Sequence, residues 1–310
     1  MNKVIMIGGP TASGKSQMAI ELAKKLKNIT PVQIINTDSI QVYDHINILS
    51  SQPSENDRKI CNHSLYGIFS PRRTCSAWIW RDLAEKSIKS AWSKNYLPIL
   101  VGGTGLYFKS LIEGLSDIPD IDKNIRLQGR NILESQGSQK LFNELLQIDP
   151  DLVSSLNYKD SHRVLRAWEV FFSTGKSISY WQNNKNTRFL KACWYGFSIL
   201  PNREKLYSKI NSRFIKMIEL GAVEEVRDFL NRNLNSKFPC SKAIGIQELS
   251  GYLKNLYSLD KAIELSQQST RRLAKRQYTW FRNQMKGFRV LDGELDSNLN
   301  KIFNITYRLY

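Results

Sequence analysis

The eight residues Gly9, Pro10, Thr11, Ala12, Ser13, Gly14, Lys15 and Ser16 constrain this chain more than any other stretch. They fit the pattern G-x(4)-G-K-[S/T], follow the short apolar run Val4–Ile7 and open a helical pattern from Ser16 through Leu26. A strand, a glycine-rich loop and a helix in that order make this pattern a phosphate-binding P-loop. The glycines let backbone N–H groups turn toward phosphate oxygens without a Cβ in the way. The helix that follows offers its positive N-terminus. Lys15 supplies a mobile cation for the terminal phosphate oxygens, and Ser16 a hydroxyl for a Mg²⁺ ion. A look-alike at Thr174-Gly175-Lys176-Ser177 has Val170 where the upstream glycine is required, and reads as a helix stop.

Three further apolar runs read as strands: Val32–Asn36 entering Asp38-Ser39, Leu97–Val101 entering Gly102-Gly103-Thr104-Gly105, and Trp194–Leu200. Short, nearly all-apolar strands alternating with helices predict an α/β fold, a P-loop-type parallel sheet flanked by helices. Ligands of such sheets sit beyond the carboxyl ends of the strands, so the loops after the first three strands are expected to converge. Asp38 at such an end ligates Mg²⁺, accepts a proton, or merely caps a helix. The segment Gly103-Thr104-Gly105 is an anion nest with a hydroxyl or a plain turn. From about residue 117 the patterns turn helical, over Ile125–Gln136, Gln139–Gln147 and Ser161–Ser173. Residues 118–190 are therefore expected to form a helical insertion domain, hinged near 116–122, and residues 1–117 with 191–310 the P-loop core. Helical patterns resume over Arg203–Gly221, Ala222–Asn231, Ser241–Lys254 and Leu259–Met285.

Composition enters through charge. Lysine and arginine number 45 against 28 acids, a net +17. Self-repulsion of that size asks for an anionic partner: nucleic acid, an acidic membrane, or only the habit of a basic proteome. No run approaches the roughly 18 apolar residues of a membrane span, and the opening apolar run is too short for a signal peptide. A cytoplasmic enzyme without a membrane partner is expected. Cys61, Cys75, Cys193 and Cys240 form no C-x-x-C pair, and with only three histidines neither zinc nor a disulfide framework is expected. From Arg271 to Arg289 there are seven basic residues and no acid. At helical spacing Arg272, Lys275, Arg282 and Lys286 share one face, suited to RNA phosphates or to solvent, with Leu273, Gln277, Trp280 and Gln284 on another. Trp168, Phe171 and Phe172 read as core. A P-loop does not name a reaction. The alternative reading, a small-molecule kinase, needs a strand ending in a metal-binding acid, and Leu97–Val101 ends in Gly102-Gly103-Thr104 instead.

The residues GPTASGKS (9–16), DSIQVY (38–43) and VGGTGLYFKSLIEGLS (101–116) stand in a familiar order. RVLRAWEVFFSTGKS (163–177) follows, then Tyr207–Leu230 with Arg213-Phe214, Met217, Gly221 and Glu225-Val226-Arg227, then KAIG (242–245) and LAKRQYTWFRNQ (273–284). From about residue 4 to 285 the chain resembles the bacterial tRNA dimethylallyltransferases. That resemblance implies transfer of a dimethylallyl group from its diphosphate to N6 of the adenosine beside the anticodon. It places the diphosphate on Gly9–Ser16, with Mg²⁺ at Ser16. It makes Asp38, Thr104 and Arg227 catalytic, Asp38 meeting the adenine amine and Arg227 facing the diphosphate. It assigns contacts with the tRNA anticodon stem-loop to Asp38, Ser39, Ile40 and Gln41, to Thr104 and Arg126, and to His162, Arg163, Val164, Leu165 and Arg166. A monomer is expected. Two departures put particular phosphate contacts in question. Leu49-Ser50-Ser51-Gln52-Pro53 stands where the family has a Gly-Thr-Ala-Lys/Arg-Pro-like stretch, and Gln247 stands near a position often basic.

Overall fold

Six strands make one all-parallel sheet in the order β3-β2-β4-β1-β5-β6. They are β1 (Lys3–Gly8), β2 (Val32–Asn36), β3 (Asn62–Ser64), β4 (Leu97–Gly102), β5 (Cys193–Ile199) and β6 (Arg289–Leu291). The structure is a computed structural model and describes residues 2–184, 190–234 and 238–310. The chain forms two compact units, Met1–Ile112 with Leu190–Tyr310, and Glu113–Phe189.

The larger unit opens with α1 (Lys15–Leu26), α2 (Asn47–Ser50), α3 (Glu55–Ile60), α4 (Ala77–Ser93) and α5 (Gly105–Ile112). The smaller unit holds α6 (Lys123–Leu146), α7 (Pro150–Ser155), α8 (Ser161–Thr174) and α9 (Ile178–Asn183). The larger unit then resumes with α10 (Arg203–Glu219), α11 (Ala222–Asn231), α12 (Ile246–Leu253), α13 (Leu259–Gln284) and α14 (Leu295–Tyr307).

Strand periodicity explains the layering, because successive side chains point to opposite faces. Ile5 and Ile7 of β1 pack with Met18 and Leu22 of α1 and with Leu299 and Ile302 of α14. Val4 and Met6 point the other way, into a core with Trp80 and Ile88 of α4, Phe108 of α5 and Phe281 of α13. Both faces are thus covered, which is why β1 and β4 read as continuous apolar runs. The smaller unit has its own core, in which Leu141 and Leu145 of α6 meet Val164, Ala167 and Trp168 of α8. The two helices expected over 125–147 are both present: α6 is two helices meeting at a kink at Gly137, which takes the non-helical φ 77° and ψ 174°. Gly175 caps α8 in the left-handed conformation, so Thr174–Ser177 is a helix stop.

From β1 the chain builds β2, β3 and β4 on one side and later β5 and β6 on the other. The carboxyl end of β1 is therefore the switch point of the sheet, where such folds place their ligands. Thr37 laces two of the loops there. Its N–H donates to the Val101 carbonyl at 2.8 Å and its own carbonyl accepts from Thr104 N–H at 3.1 Å. The chains approach so closely that a Cβ on Gly102 would lie 2.0 Å from the Thr37 carbonyl oxygen. Backbone cannot step aside as a flexible side chain can. We expect Gly102→Ala to cost about 1–3 kcal/mol of stability through overpacking, measured as a lowered urea midpoint at unchanged slope.

Candidate active site

The P-loop leaves β1 and turns into α1 through Gly14, whose φ of 89° places it in the left-handed region. Gly9 must also lack a side chain, since a Cβ there would lie 2.5 Å from the Ile199 carbonyl. The Ser13 hydroxyl is buried and has no hydrogen-bond partner among the described residues, an orphan that suits a loop awaiting an oxygen-rich ligand. Lys15 folds back over the loop, with Nζ 3.1 Å from the Pro10 carbonyl. Burial lowers the Lys15 pKa to about 8, with Asp38 opposing the shift and Arg213 adding to it. Ser16 is exposed on the first turn of α1.

Two side chains from far along the sequence close the loop. Arg213 of α10 donates through Nη2 to Thr11 Oγ1 at 2.9 Å. Burial lowers its pKa while Asp38 raises it. Gln277 of α13 accepts from Thr11 N–H through Oε1 at 2.8 Å and donates through Nε2 to the Gly103 carbonyl at 3.0 Å. One neutral amide thereby ties the first loop to the third.

Asp38 follows β2. Its Oδ1 accepts from the amides of Ile40 at 2.9 Å and Gln41 at 3.4 Å, while its own N–H donates to Asn36 Oδ1 at 2.8 Å. No helix begins there, so the carboxylate closes a turn and does not cap a helix. Thr104 Oγ1 accepts from Ser39 N–H at 3.0 Å. The segment after β4 is not an anion nest. Gly102, Gly103 and Gly105 all have ordinary φ values, and their role is room: a Cβ on Gly103 would meet Gln277 at 2.3 Å and one on Gly105 would meet Trp280 at 1.8 Å.

These loops border a cleft of about 650 Å³, measured with its open mouth. Thr11, Asp38, Arg213, Lys242 and Gln277 give it polar walls, and Leu49, Ile210, Phe214, Met217, Ile244 and Leu273 apolar ones. The structure therefore brings together the P-loop, Asp38 and Ile40, with Ser39 and Thr104 bonded behind them. It does not bring Arg227 there. Arg227 is exposed on α11, whose buried positions are Ala222, Val223, Val226 and Phe229. The cation on the P-loop is Arg213, and the spacing Ile210, Arg213, Met217 on one face of α10 is the signal for it. The Gln41 amide is turned away from the cleft, donating to the carbonyls of Ser50 and Ser51 at 2.8 Å each. Gln52 donates to the Tyr43 carbonyl at 2.7 Å, and Gln247 is exposed on α12.

In the smaller unit, Arg126 of α6 and His162 and Arg163 of α8 are exposed. Arg166 is half-buried, 3.9 Å from the buried Glu169, whose pKa burial raises against the pull of Arg166, Arg126 and Arg130. Val164 offers no surface to RNA, since it lies fully buried in the core, and Leu165 packs partly buried against the same core. Trp168 is core as expected, donating to Glu144 at 2.6 Å, while Phe172 is exposed and stacks on it. On α13, Arg272, Lys275, Arg276 and Arg282 are exposed, as is Lys286 just beyond its end, and none forms an ion pair among the described residues. No described helix is long and apolar enough to cross a membrane.

A P-loop at the switch point of a parallel sheet, faced by a carboxylate and two half-buried cations beside a cleft with apolar walls, is the architecture of an α/β enzyme. The family model described as IPP transferase matches residues 41–284, one described as Isopentenyl transferase matches residues 2–66, and the chain belongs to this family. It is 40% identical over 295 residues to a tRNA dimethylallyltransferase of Paramagnetospirillum magneticum, covering 95% of this chain and 92% of that one. It is 42% identical over 282 residues to one from Bartonella quintana, covering 91% and 94%. Among solved structures, a full-length tRNA isopentenylpyrophosphate transferase from Bacillus halodurans superposes with a TM-score of 0.70 at 30% identity, over 99% of this chain and 96% of that one. A eukaryotic dimethylallyltransferase acting on tRNA superposes with a TM-score of 0.79 at 28% identity, over 94% and 74%.

The electrostatics of Lys15 carry a test. Burial disfavours its charged form, so the cost is full below about pH 8 and fades as pH rises toward the unfolded value of 10.5. We expect Lys15→Met to stabilise the unliganded protein by on the order of 2 kcal/mol at pH 7, after allowing for residual solvent screening. Urea unfolding should show that gain shrinking between pH 8 and pH 10.

Proposed function

We propose that this chain transfers a dimethylallyl group from dimethylallyl diphosphate to N6 of the adenosine beside the anticodon of tRNA. One observation carries the reading: a single cleft joins Thr11 of the P-loop and the cations Arg213 and Lys242 to apolar walls, with the Asp38 carboxylate lining the same space. The diphosphate takes the P-loop amides, Lys15 and Arg213. The five-carbon chain lies against Phe214, Met217 and Leu273. The adenine amine is a weak nucleophile, so its orientation by Asp38 and loss of its proton to that carboxylate govern the rate. As the allylic C–O bond breaks and the C–N bond forms, charge grows on the leaving diphosphate. Lys15, Arg213 and the loop amides stabilise it there. The target base must leave its stack to enter the cleft.

The donor set suits Mg²⁺. Among the described residues no group of three or more His, Cys, Asp or Glu is placed to hold a metal. An ion held mostly by phosphate oxygens and water, with one hydroxyl from Ser16, needs no such group. When bound, it supplies further charge neutralisation on the diphosphate. The exposed cations of α13 and of α8 suit the RNA backbone, and the chain acts as a monomer. The kinase reading gains nothing, since β4 ends in glycine and threonine with no acid.

Label transfer from dimethylallyl diphosphate to unmodified tRNA, with no ATP, tests the reaction. Arg213→Ala should lower kcat/KM by roughly 10²-fold, the loss typical of one transition-state donor, while Arg227→Ala should stay near wild type. Equal losses in steady-state assays would return Arg227 to the site. Asp38→Asn keeps shape but not basicity. We expect a single-turnover rate lower by roughly 10²–10⁴-fold with little change in diphosphate affinity. If affinity falls with rate and added Mg²⁺ restores both, Asp38 serves the metal instead.

A further inference from the structure

One carboxylate that the mechanism does not use reaches across the larger unit to a wall of the cleft. Glu225 lies on α11, and its Oε1 accepts from Ile48 N–H at 2.7 Å and its Oε2 from Leu49 N–H at 2.9 Å. These are amides of α2, a single turn whose N-cap is Ile46, a residue with no side-chain acceptor. The first amides of any helix lack intrahelical partners. Here a residue 177 positions away supplies both oxygens. The carboxyl is largely out of water, so burial raises its pKa even against those backbone bonds.

The turn held in this way is part of the site. Leu49 and Ser50 line the cleft beside Asp38 and Arg213. The carbonyls of Ser50 and Ser51 each accept from Gln41 Nε2 at 2.8 Å, and Gln41 N–H is in turn bonded to Asp38 Oδ1 at 3.4 Å. On its other side Leu49 presses on Gly245, where a Cβ would lie 2.6 Å from Leu49 Cδ2. A continuous chain of contacts therefore runs from Glu225 through α2 and Gln41 to the carboxylate that faces the substrate. A residue needed only to stabilise α11 would have no reason to spend both oxygens on a turn of another segment.

We propose that Glu225 is a positioning residue of the transfer reaction: through α2 and Gln41 it fixes the cleft wall and the orientation of Asp38. The inference rests on the reading of the cleft given above. Displacing a reacting group by about 1 Å costs on the order of 10²-fold in rate. Glu225→Gln keeps size and one acceptor oxygen, Glu225→Ala neither.

The test measures single-turnover prenylation of tRNA, diphosphate affinity and hydrogen exchange over residues 46–52, each at a fixed interval below the variant's own melting midpoint. We expect the chemical step to fall about 10-fold in Glu225→Gln and roughly 10²-fold in Glu225→Ala. Diphosphate affinity should change less than about 3-fold, because the P-loop contacts remain. The Ile48 and Leu49 amides should exchange faster in both variants. A folded Glu225→Gln with a wild-type rate per molecule makes Glu225 a stability cap only and overturns the proposal. So does unchanged exchange over 46–52 in either variant, including a Glu225→Ala too unstable to assay for turnover. Wild-type protein that transfers no label at all overturns the transfer reading itself, and this inference with it.

Discussion

Two half-buried cations around one loop set the terms for the rest of this structure. Lys15 and Arg213 lie at the P-loop, each depressed in pKa chiefly by burial, and Asp38 is the acid that bears on both. Asp38 forms no salt bridge with either. Burying like charges side by side costs free energy unless something negative arrives. An anion of high charge is the natural complement, and the loop amides, the orphan Ser13 hydroxyl and the N-terminus of α1 converge on the same place. The unliganded site is thus kept in a state that its ligand relieves, at some expense to stability.

Such a site needs a rigid frame, and the sheet supplies it. The P-loop, the Asp38 turn and the loop after β4 leave three mutually bonded parallel strands, so their spacing is fixed by the ladder. Thr37 and Gln277 then lock the loops to one another through backbone groups. The glycines after β4 serve this locking. Their reason is the approach of Thr37, Gln277 and Trp280, and not a need for positive φ. Phosphate binding and loop packing both demand glycine, and a sequence pattern alone does not separate the two demands.

The parts legible in the sequence are those where residue type and local period agree. β1, β2, β4 and β5 are apolar runs bounded by loops, and α1, α8, α10, α11 and α13 have buried stripes at helical spacing. β3 (Asn-His-Ser) and β6 (Arg-Val-Leu) are three-residue strands at the two edges of the sheet, with too few apolar positions to show a period. α4 carries a readable signal that a reading led by motifs passes over, with Ser76 as its cap and Trp80, Ala84, Ile88 and Ala91 along one face. Within the site, the loop and Asp38 are legible because their chemistry sits at strand ends. Arg213 and Arg227 are both arginines in one helical stretch, and only the burial phase of α10 and α11 tells them apart. Val164 shows the converse: it falls inside a segment expected to touch RNA, yet its phase on α8 sends it into the core.

What no local pattern reveals is that the site is assembled across the full length of the larger unit. Thr11 accepts from Arg213 through its hydroxyl and donates through its N–H to Gln277, the latter 266 positions away. Ile48 and Leu49 depend on Glu225 in the same manner. Each tie uses a neutral amide, a hydroxyl or a single carboxylate, residues that carry no signature until the fold brings their partners within 3 Å. The ordering entropy of such ties is met only when α10, α11 and α13 pack on the sheet. A chain that stops before α13 contains every residue of the P-loop motif and lacks the amide that closes it. The motif therefore specifies where phosphate binds, while the completed core decides whether the loop is shaped to bind it.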